Sequence, residues 1–180
     1  MMVKKYIMFL SSFLLVMNIN SKAQTVDFKF TLVKTFKKTT DYFSTDNDGN
    51  LYTINQDEVI KYDSKGELKF RFSNKALGNV SHLDARNKLK ILLFYKDFSK
   101  ILFLDNMLAE SSNTILLQDL RLDQTNVVCT SFNNGFWVFD QINFNFARLD
   151  QNLRISHETG NLSLLLSYPI SPNFALEAGN

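Results

Sequence analysis

The stretch Asp48-Gly49-Asn50-Leu51-Tyr52, followed by Ile60-Lys61-Tyr62-Asp63-Ser64-Lys65-Gly66-Glu67-Leu68, decides the fold. A polar turn with a glycine opens a short apolar run, and a second run closes on a polar turn led by an aspartate. The arrangement returns at Ile91-Leu92-Leu93-Phe94-Tyr95 with Ile101-Leu102-Phe103-Leu104-Asp105-Asn106-Met107-Leu108, and at Asn134-Gly135-Phe136-Trp137-Val138 with Phe146-Ala147-Arg148-Leu149-Asp150-Gln151-Asn152-Leu153. The closing aspartates fall at 63, 105 and 150, spacings of 42 and 45, and Gly49 lies 86 residues before Gly135, two periods of 43. Self-similarity at such a period signals a repeat architecture.

Within each unit the apolar residues alternate. Leu68, Phe70 and Phe72 are interleaved with Lys69 and Arg71, and Phe28, Phe30 and Leu32 with Lys29 and Thr31, the period of half-buried strands. Beyond the N-terminal leader, no window of a dozen residues carries a helical stripe with a cap. The mature protein is therefore expected to be all-β. Asp48-Gly49 and Asn134-Gly135 predict two-residue turns at positive φ after the inner strands Asp41 to Thr45 and Val127 to Ser131. Asp63, Asp105 and Asp150 predict turns in which the carboxylate bonds its own backbone. Each unit is then a four-stranded antiparallel meander.

Units of about 40 to 45 residues with four strands each have the spacing of propeller blades. The run from Asp48 to Leu68 resembles the blade motif of the NHL, SMP-30-like and related six-bladed β-propeller families, and the likeness extends over roughly Asp41 to Asn180. Unit two departs from it, with Ala85-Arg86-Asn87-Lys88 where the turn glycine belongs. The expected fold is an all-β, propeller-like arrangement of blades at about 41–80, 81–122 and 123–168, with the start of another at 173–180. The tail from Asn173 to Asn180 resembles Tyr42 to Asn50, and Gly135 to Gly179 is one more period of 44. A propeller closes with four to eight blades, whereas the mature length divided by 43 gives between three and four. The expectation is an incomplete ring, with Phe28 to Thr35 as the strand that would complete a missing last blade. Such an arc leaves open edges and bare faces, which predicts weak stability or self-association.

The first residues read as an address. Lys4 and Lys5 precede an apolar run from Tyr6 to Met17, and Ser21-Lys22-Ala23 places small residues before Gln24, as in a secretory signal peptide cleaved after Ala23. The run is shorter than the ~20 residues needed to span a bilayer, and no cysteine follows it to carry a lipid. No later segment is long and apolar enough to span a membrane. The chain of 180 residues carries a formal charge of +2, and removal of residues 1–23 leaves 17 basic against 18 acidic residues. A near-neutral body gives no electrostatic reason to bind nucleic acid or an anionic membrane. Lys34, Lys37 and Lys38 read as a solvated strand face and turn. A periplasmic or secreted protein is expected.

Candidate chemistry is sparse. Asp46, Asp48 and Asn50 could begin a calcium loop, but its sixth position is Leu51 and its twelfth Asp57, so a hairpin turn is the better reading. His82 and His157 stand 75 residues apart with no second ligand at metal spacing and read as surface or loop histidines. Asp57-Glu58 reads as a solvated turn pair. The single cysteine, Cys129, sits in a β-rich run, cannot form an internal disulfide and reads as a buried apolar residue. Trp137 points away from Phe136 and Val138 and reads as core between blades. No nucleophile elbow or phosphate loop occurs. The sequence therefore predicts no catalytic residue, cofactor or metal. It favours an exported non-catalytic scaffold for a protein or glycan partner. The alternatives are a propeller enzyme of the lactonase, lyase or dehydrogenase kind, with a channel site absent from these blades, and a non-functional fragment.

Overall fold

The structure is a computed structural model that describes residues 28–32, 35, 39–166 and 168–178. Contacts divide the chain into two units between Thr35 and Phe36. Among the described residues of the second unit, alternation and turn chemistry produce twelve strands in three four-stranded antiparallel sheets. Sheet one is β1 (Tyr42–Thr45), β2 (Leu51–Asn55), β3 (Glu58–Tyr62) and β4 (Leu68–Ser73), paired in that order. Sheet two is β5 (His82–Asp84), β6 (Ile91–Tyr95), β7 (Lys100–Leu104) and β8 (Ile115–Leu116). Sheet three is β9 (Thr125–Thr130), β10 (Phe136–Asp140), β11 (Asn145–Leu149) and β12 (Ile155–Glu158). The second strands β2 and β10 occupy equivalent places, as the repeat requires. The three sheets do not close a ring among the described residues.

Sheet two shows why the pattern gives stacked blades. Its second strand is apolar throughout and wholly buried. Ile91, Leu93 and Tyr95 pack toward Tyr52, Ile54 and Val59 of sheet one, while Leu92 and Phe94 pack toward Phe136 and Val138 of sheet three. A strand covered on both faces is apolar at every position rather than at every second one. At ~25 cal/mol per Å² of apolar surface, each such side chain stabilises the stack by roughly 2 kcal/mol.

The third-to-fourth turns repeat in atomic detail. Asp63 Oδ1 accepts the N–H groups of Lys65 and Glu67 at 2.9 and 2.8 Å. Asp105 Oδ1 accepts those of Met107 and Ala109 at 2.8 and 2.9 Å, and Asp150 Oδ1 those of Asn152 and Arg154 at 2.8 and 2.9 Å. The fourth residue of each turn takes a left-handed φ: +81° at Gly66, +61° at Leu108 and +63° at Leu153. For a leucine that conformation costs about 1–2 kcal/mol. Burial offsets it, since Leu108 lies in the core between sheets one and two and Leu153 packs on the core between sheets two and three.

Two sequence expectations are corrected. The first-to-second connections are five-residue loops, 46–50 and 131–135, rather than two-residue turns. In the first, Asp46 Oδ1 gathers the N–H groups of Asp48 and Asn50, both at 3.0 Å, which draws the loop around the carboxylate. In the third unit Asn133 and Asn134 carry the positive φ. Gly135 is needed for a different reason: a Cβ there would sit 2.6 Å from the Leu149 carbonyl oxygen and 2.8 Å from Arg148 Nη2. The other correction concerns the N-terminal strand expected from Phe28 to Thr35. The described residues of that stretch form no strand, and Phe28, Phe30 and Leu32 are 75%, 93% and 86% exposed. Alternation supplies an apolar face, but a strand also needs a hydrogen-bonded neighbour. Among the described residues it has none. The cluster Lys34, Lys37 and Lys38 and the leader lie outside the described residues.

Candidate functional site

In an antiparallel meander the first-to-second and third-to-fourth loops lie at the same end, so all these loops gather at one mouth of the stack. The inner strands β1, β5 and β9 are neighbours there. A side chain near the end of each accepts a backbone N–H from the next repeat. Ser44 Oγ accepts from Ala85 at 3.2 Å, and Asp84 Oδ2 accepts from Thr130 at 2.9 Å. The Glu177 N–H is directed at the Cys129 thiol. The segment Phe174–Glu177 thus continues the series along sheet three, although it is not itself assigned to a strand.

The middle tie is the most developed. Asp84 is 5% exposed and takes Arg86 Nε on Oδ1 at 3.0 Å and Arg86 Nη2 on Oδ2 at 2.6 Å. It also takes the Thr130 hydroxyl at 2.8 Å and the Arg86 N–H at 3.1 Å. Burial pushes its pKa up, but the Arg86 guanidinium and the Thr130 N–H and hydroxyl outweigh that and hold it at about 2. Arg86 Nη1 reaches the Glu177 carbonyl oxygen at 3.0 Å. Glu177 in turn accepts the Phe132 N–H at 3.0 Å and Trp137 Nε1 at 3.2 Å. Burial raises its pKa, and the Ser131 hydroxyl, Trp137 and the Phe132 N–H more than compensate, so the carboxyl titrates below its ordinary range. These bonds span sheets two and three and the segment after them.

Two clefts flank this network. One, of about 550 Å³, opens at the mouth between Asn47, Asn87, Ser131 and Phe132, with Arg86 in its wall. Phe132 is 55% exposed, and the Arg148 guanidinium lies 4.0 Å from its ring centre. Arg148 is held by the Ser131 and Ser156 hydroxyls at 2.7 and 2.8 Å and by the Phe132 carbonyl at 2.6 Å. Asn47 and Asn87, which line this cleft with Phe132, are exposed, and Asn133, Asn134 and Asn152 are exposed around a neighbouring cleft beside Arg148. The other cleft, about 460 Å³, lies on the face of sheet three turned away from sheet two, lined by Cys129, Trp137, Phe146 and the segment Phe174–Glu177.

The residues singled out from the sequence separate into structural and surface roles. Asp46 Oδ2 accepts Asn50 Nδ2 at 2.7 Å and the buried Tyr52 hydroxyl at 2.9 Å, so its carboxylate organises its own loop. Asp57 and Glu58 bond Ser73 and Arg71 at the surface. Cys129 is buried, as expected, and its thiol is pushed up to about 11, chiefly by burial. Iodoacetamide at pH 8 should therefore leave native Cys129 largely unlabelled and modify it on unfolding in urea. Rapid native labelling would contradict that environment. Two readings are corrected. Trp137 is half-buried and lines a cleft instead of filling an inter-blade core, because among the described residues no fourth sheet covers it. His82 is neither loop nor free surface: it lies on β5, 4.8 Å from Tyr42 and 6.3 Å from Phe174 between ring centres, and burial lowers its pKa. His157 is exposed beside Ser156. Among the described residues no three histidine, cysteine or carboxylate side chains group as metal ligands. No described helix is long and apolar enough to cross a membrane.

Sequence reasoning missed the Asp84–Arg86 pair. Its signal was present as the departure of unit two from the glycine-turn pattern.

Four-stranded antiparallel sheets stacked along their inner strands define a β-propeller-type protein. No protein-family model matches the sequence, and no curated protein matches it, so the finer likeness to NHL and SMP-30-like propellers has no support beyond the sequence motif. Among solved structures the chain is similar to a streptogramin B lyase, at 16% identity and a TM-score of 0.51 over 64% of this chain and 38% of that one. It is also similar to the WD40 domain of Neurospora crassa Pan2, at 10% identity and a TM-score of 0.50 over 73% of this chain and 39% of that one. The chain thus spans about two fifths of the length of each. At these identities the likeness concerns the fold.

Proposed function

We propose that the chain is exported, with cleavage after Ala23, and acts as a non-catalytic β-propeller-type scaffold that holds a glycan at the mouth of its blades. The observation that carries this reading is the division of labour at the mouth. Arg86, Arg148, Asp84 and Glu177 are engaged in holding loops and repeats together. What faces outward is a rim of asparagine amides around the exposed ring of Phe132. Amides both donate and accept, and an aromatic face accepts the apolar side of a sugar, so the pair suits a polyhydroxyl surface. Preorganised loops lower the ordering cost of binding. A protein partner is the other outcome such a rim permits.

The mature protein should bind members of an oligosaccharide panel, and Phe132→Ala with Asn133→Gly, which keeps the left-handed backbone at that position, should weaken binding at least tenfold while leaving the melting temperature within about 3 °C. Undiminished binding by that variant, or capture of a protein with no glycan retained, would remove the glycan reading. Intact mass of exported material should begin at Gln24, and a mature species retaining Met1 would remove the export reading.

A further inference from the structure

We propose that the cleft between sheets two and three binds a small zwitterion with an apolar body, in chemical class a free apolar α-amino acid, with its carboxylate on Lys90 and its ammonium on Asp150. The cleft measures about 350 Å³ and shares no lining residue with the one beside Phe132. Small-molecule sites run from roughly 300 to 1,000 Å³, so this one suits a single amino acid better than an oligosaccharide. Ile115, Leu120 and Leu153 line it, half-buried and packed on the core between the two sheets. The rings of Phe103 and Phe136, with centres 5.9 Å apart, complete the apolar wall.

Two opposite charges meet at one corner of this cleft without pairing. Lys90 is half-buried, and its ammonium donates to the Asn134 carbonyl at 2.5 Å and lies 4.2 Å from the centre of the Phe103 ring. Phe136 pairs with Leu149, which sets Gly135 opposite Asp150 and brings Asp150 to the corner where the Asn134 carbonyl sits. Yet among the described residues Lys90 forms no ion pair. Burial lowers the pKa of its ammonium, and no carboxylate offsets the effect. A cation withdrawn from water without a counter-charge is costly, and an arriving carboxylate relieves that cost through charge-assisted hydrogen bonds. Asp150 cannot supply the counter-charge itself, because its Oδ1 is held by the Asn152 and Arg154 N–H groups of its own turn. Those bonds, that from Arg154 first, keep its pKa below the ordinary carboxylate range. In the equivalent turn of sheet one, Asp63 commits its second oxygen to Lys69 Nζ at 3.0 Å. Six residues beyond Asp150 the chain has Ser156 in place of that lysine, and its hydroxyl serves Arg148. Among the described residues nothing donates to Asp150 Oδ2. Asp119 adds a second, exposed carboxylate to the wall. A plain carboxylate would therefore meet two aspartates and a plain amine would meet Lys90, whereas a molecule carrying both charges satisfies both.

Titration calorimetry of the full chain should give leucine a dissociation constant below about 1 mM. Two analogues divide its charges: 4-methylpentanoate lacks the ammonium, and 3-methylbutylamine lacks the carboxylate. Each should bind more weakly than leucine by a factor of about five or more. Lys90→Gln should weaken leucine by about fivefold or more without weakening 3-methylbutylamine. Asp150→Asn, which keeps Oδ1 for the turn, should weaken leucine to a similar degree without weakening 4-methylpentanoate. Both variants should melt within about 3 °C of the parent. The proposal is overturned if leucine binds no tighter than about 1 mM or if either analogue binds within about fivefold of leucine. It is overturned equally if either variant melts like the parent and binds leucine within about fivefold of it. Should a variant melt early, the three ligands on the parent decide alone.

Discussion

Replacing Asp84 with alanine is expected to remove about 3–5 kcal/mol of unfolding free energy, the scale for breaking a buried ion pair and leaving its partners unmatched. The loss is large because one carboxylate serves the Arg86 guanidinium and the Thr130 N–H and hydroxyl across two sheets. The same group predicts a pH dependence. Its folded pKa of about 2 lies below the ordinary value of 3.8. A depressed carboxylate binds its proton less readily when folded, so its stabilisation is complete above the unfolded pKa and is lost as pH falls through the folded one. Between pH 5 and pH 2 the parent should lose about 2 kcal/mol through Asp84 alone, with Asp46 and Glu177, also depressed, acting in the same direction. Urea midpoints across that range should fall steeply for the parent and less steeply for Asp84→Ala. A flat parent profile, or an alanine variant within about 1 kcal/mol of the parent, would show that the tie does not hold the sheets.

Gly135→Ala should cost about 2–4 kcal/mol, because the added methyl meets the Leu149 carbonyl and the Arg148 guanidinium rather than a side chain free to swing aside. Gly160 provides the contrast. Its φ is +71°, but a Cβ there meets nothing within 4 Å, so Gly160→Ala should cost only the backbone term of about 1–2 kcal/mol. Chemical denaturation followed at Trp137 separates the two. Equal losses at both positions would mean that conformation, and not close approach, sets the requirement at Gly135.

The features legible in the sequence are those encoded within a few residues. Asp63, Asp105 and Asp150 were readable because each bonds N–H groups two and four residues ahead. Long-range partnerships were not readable. Asp84 meets Thr130 across 46 residues, and nothing local to either announces the other. Phe28, Phe30 and Leu32 have the alternation of a strand, yet alternation describes a face and says nothing about the neighbour that must complete the ladder. Trp137 shows the same limit from the other side: its orientation followed from its neighbours in sequence, but whether anything covered it did not. The five-residue loop at Asp46 escaped because the side chain, not the glycine, sets its size.

The three aspartate turns differ at one position, and that difference bears on how the blades could be rearranged. Leu108 and Leu153 hold a left-handed backbone only because their side chains enter the core shared with the sheet before them, whereas Gly66 takes the same conformation without help. A unit with leucine in the turn is therefore dependent on an upstream neighbour, and a unit with glycine is not. In a concatemer or circular permutant, units two and three could serve only as interior or trailing modules, while unit one could lead. The turn residue works as a one-letter polarity mark, giving an otherwise degenerate repeat a direction of assembly.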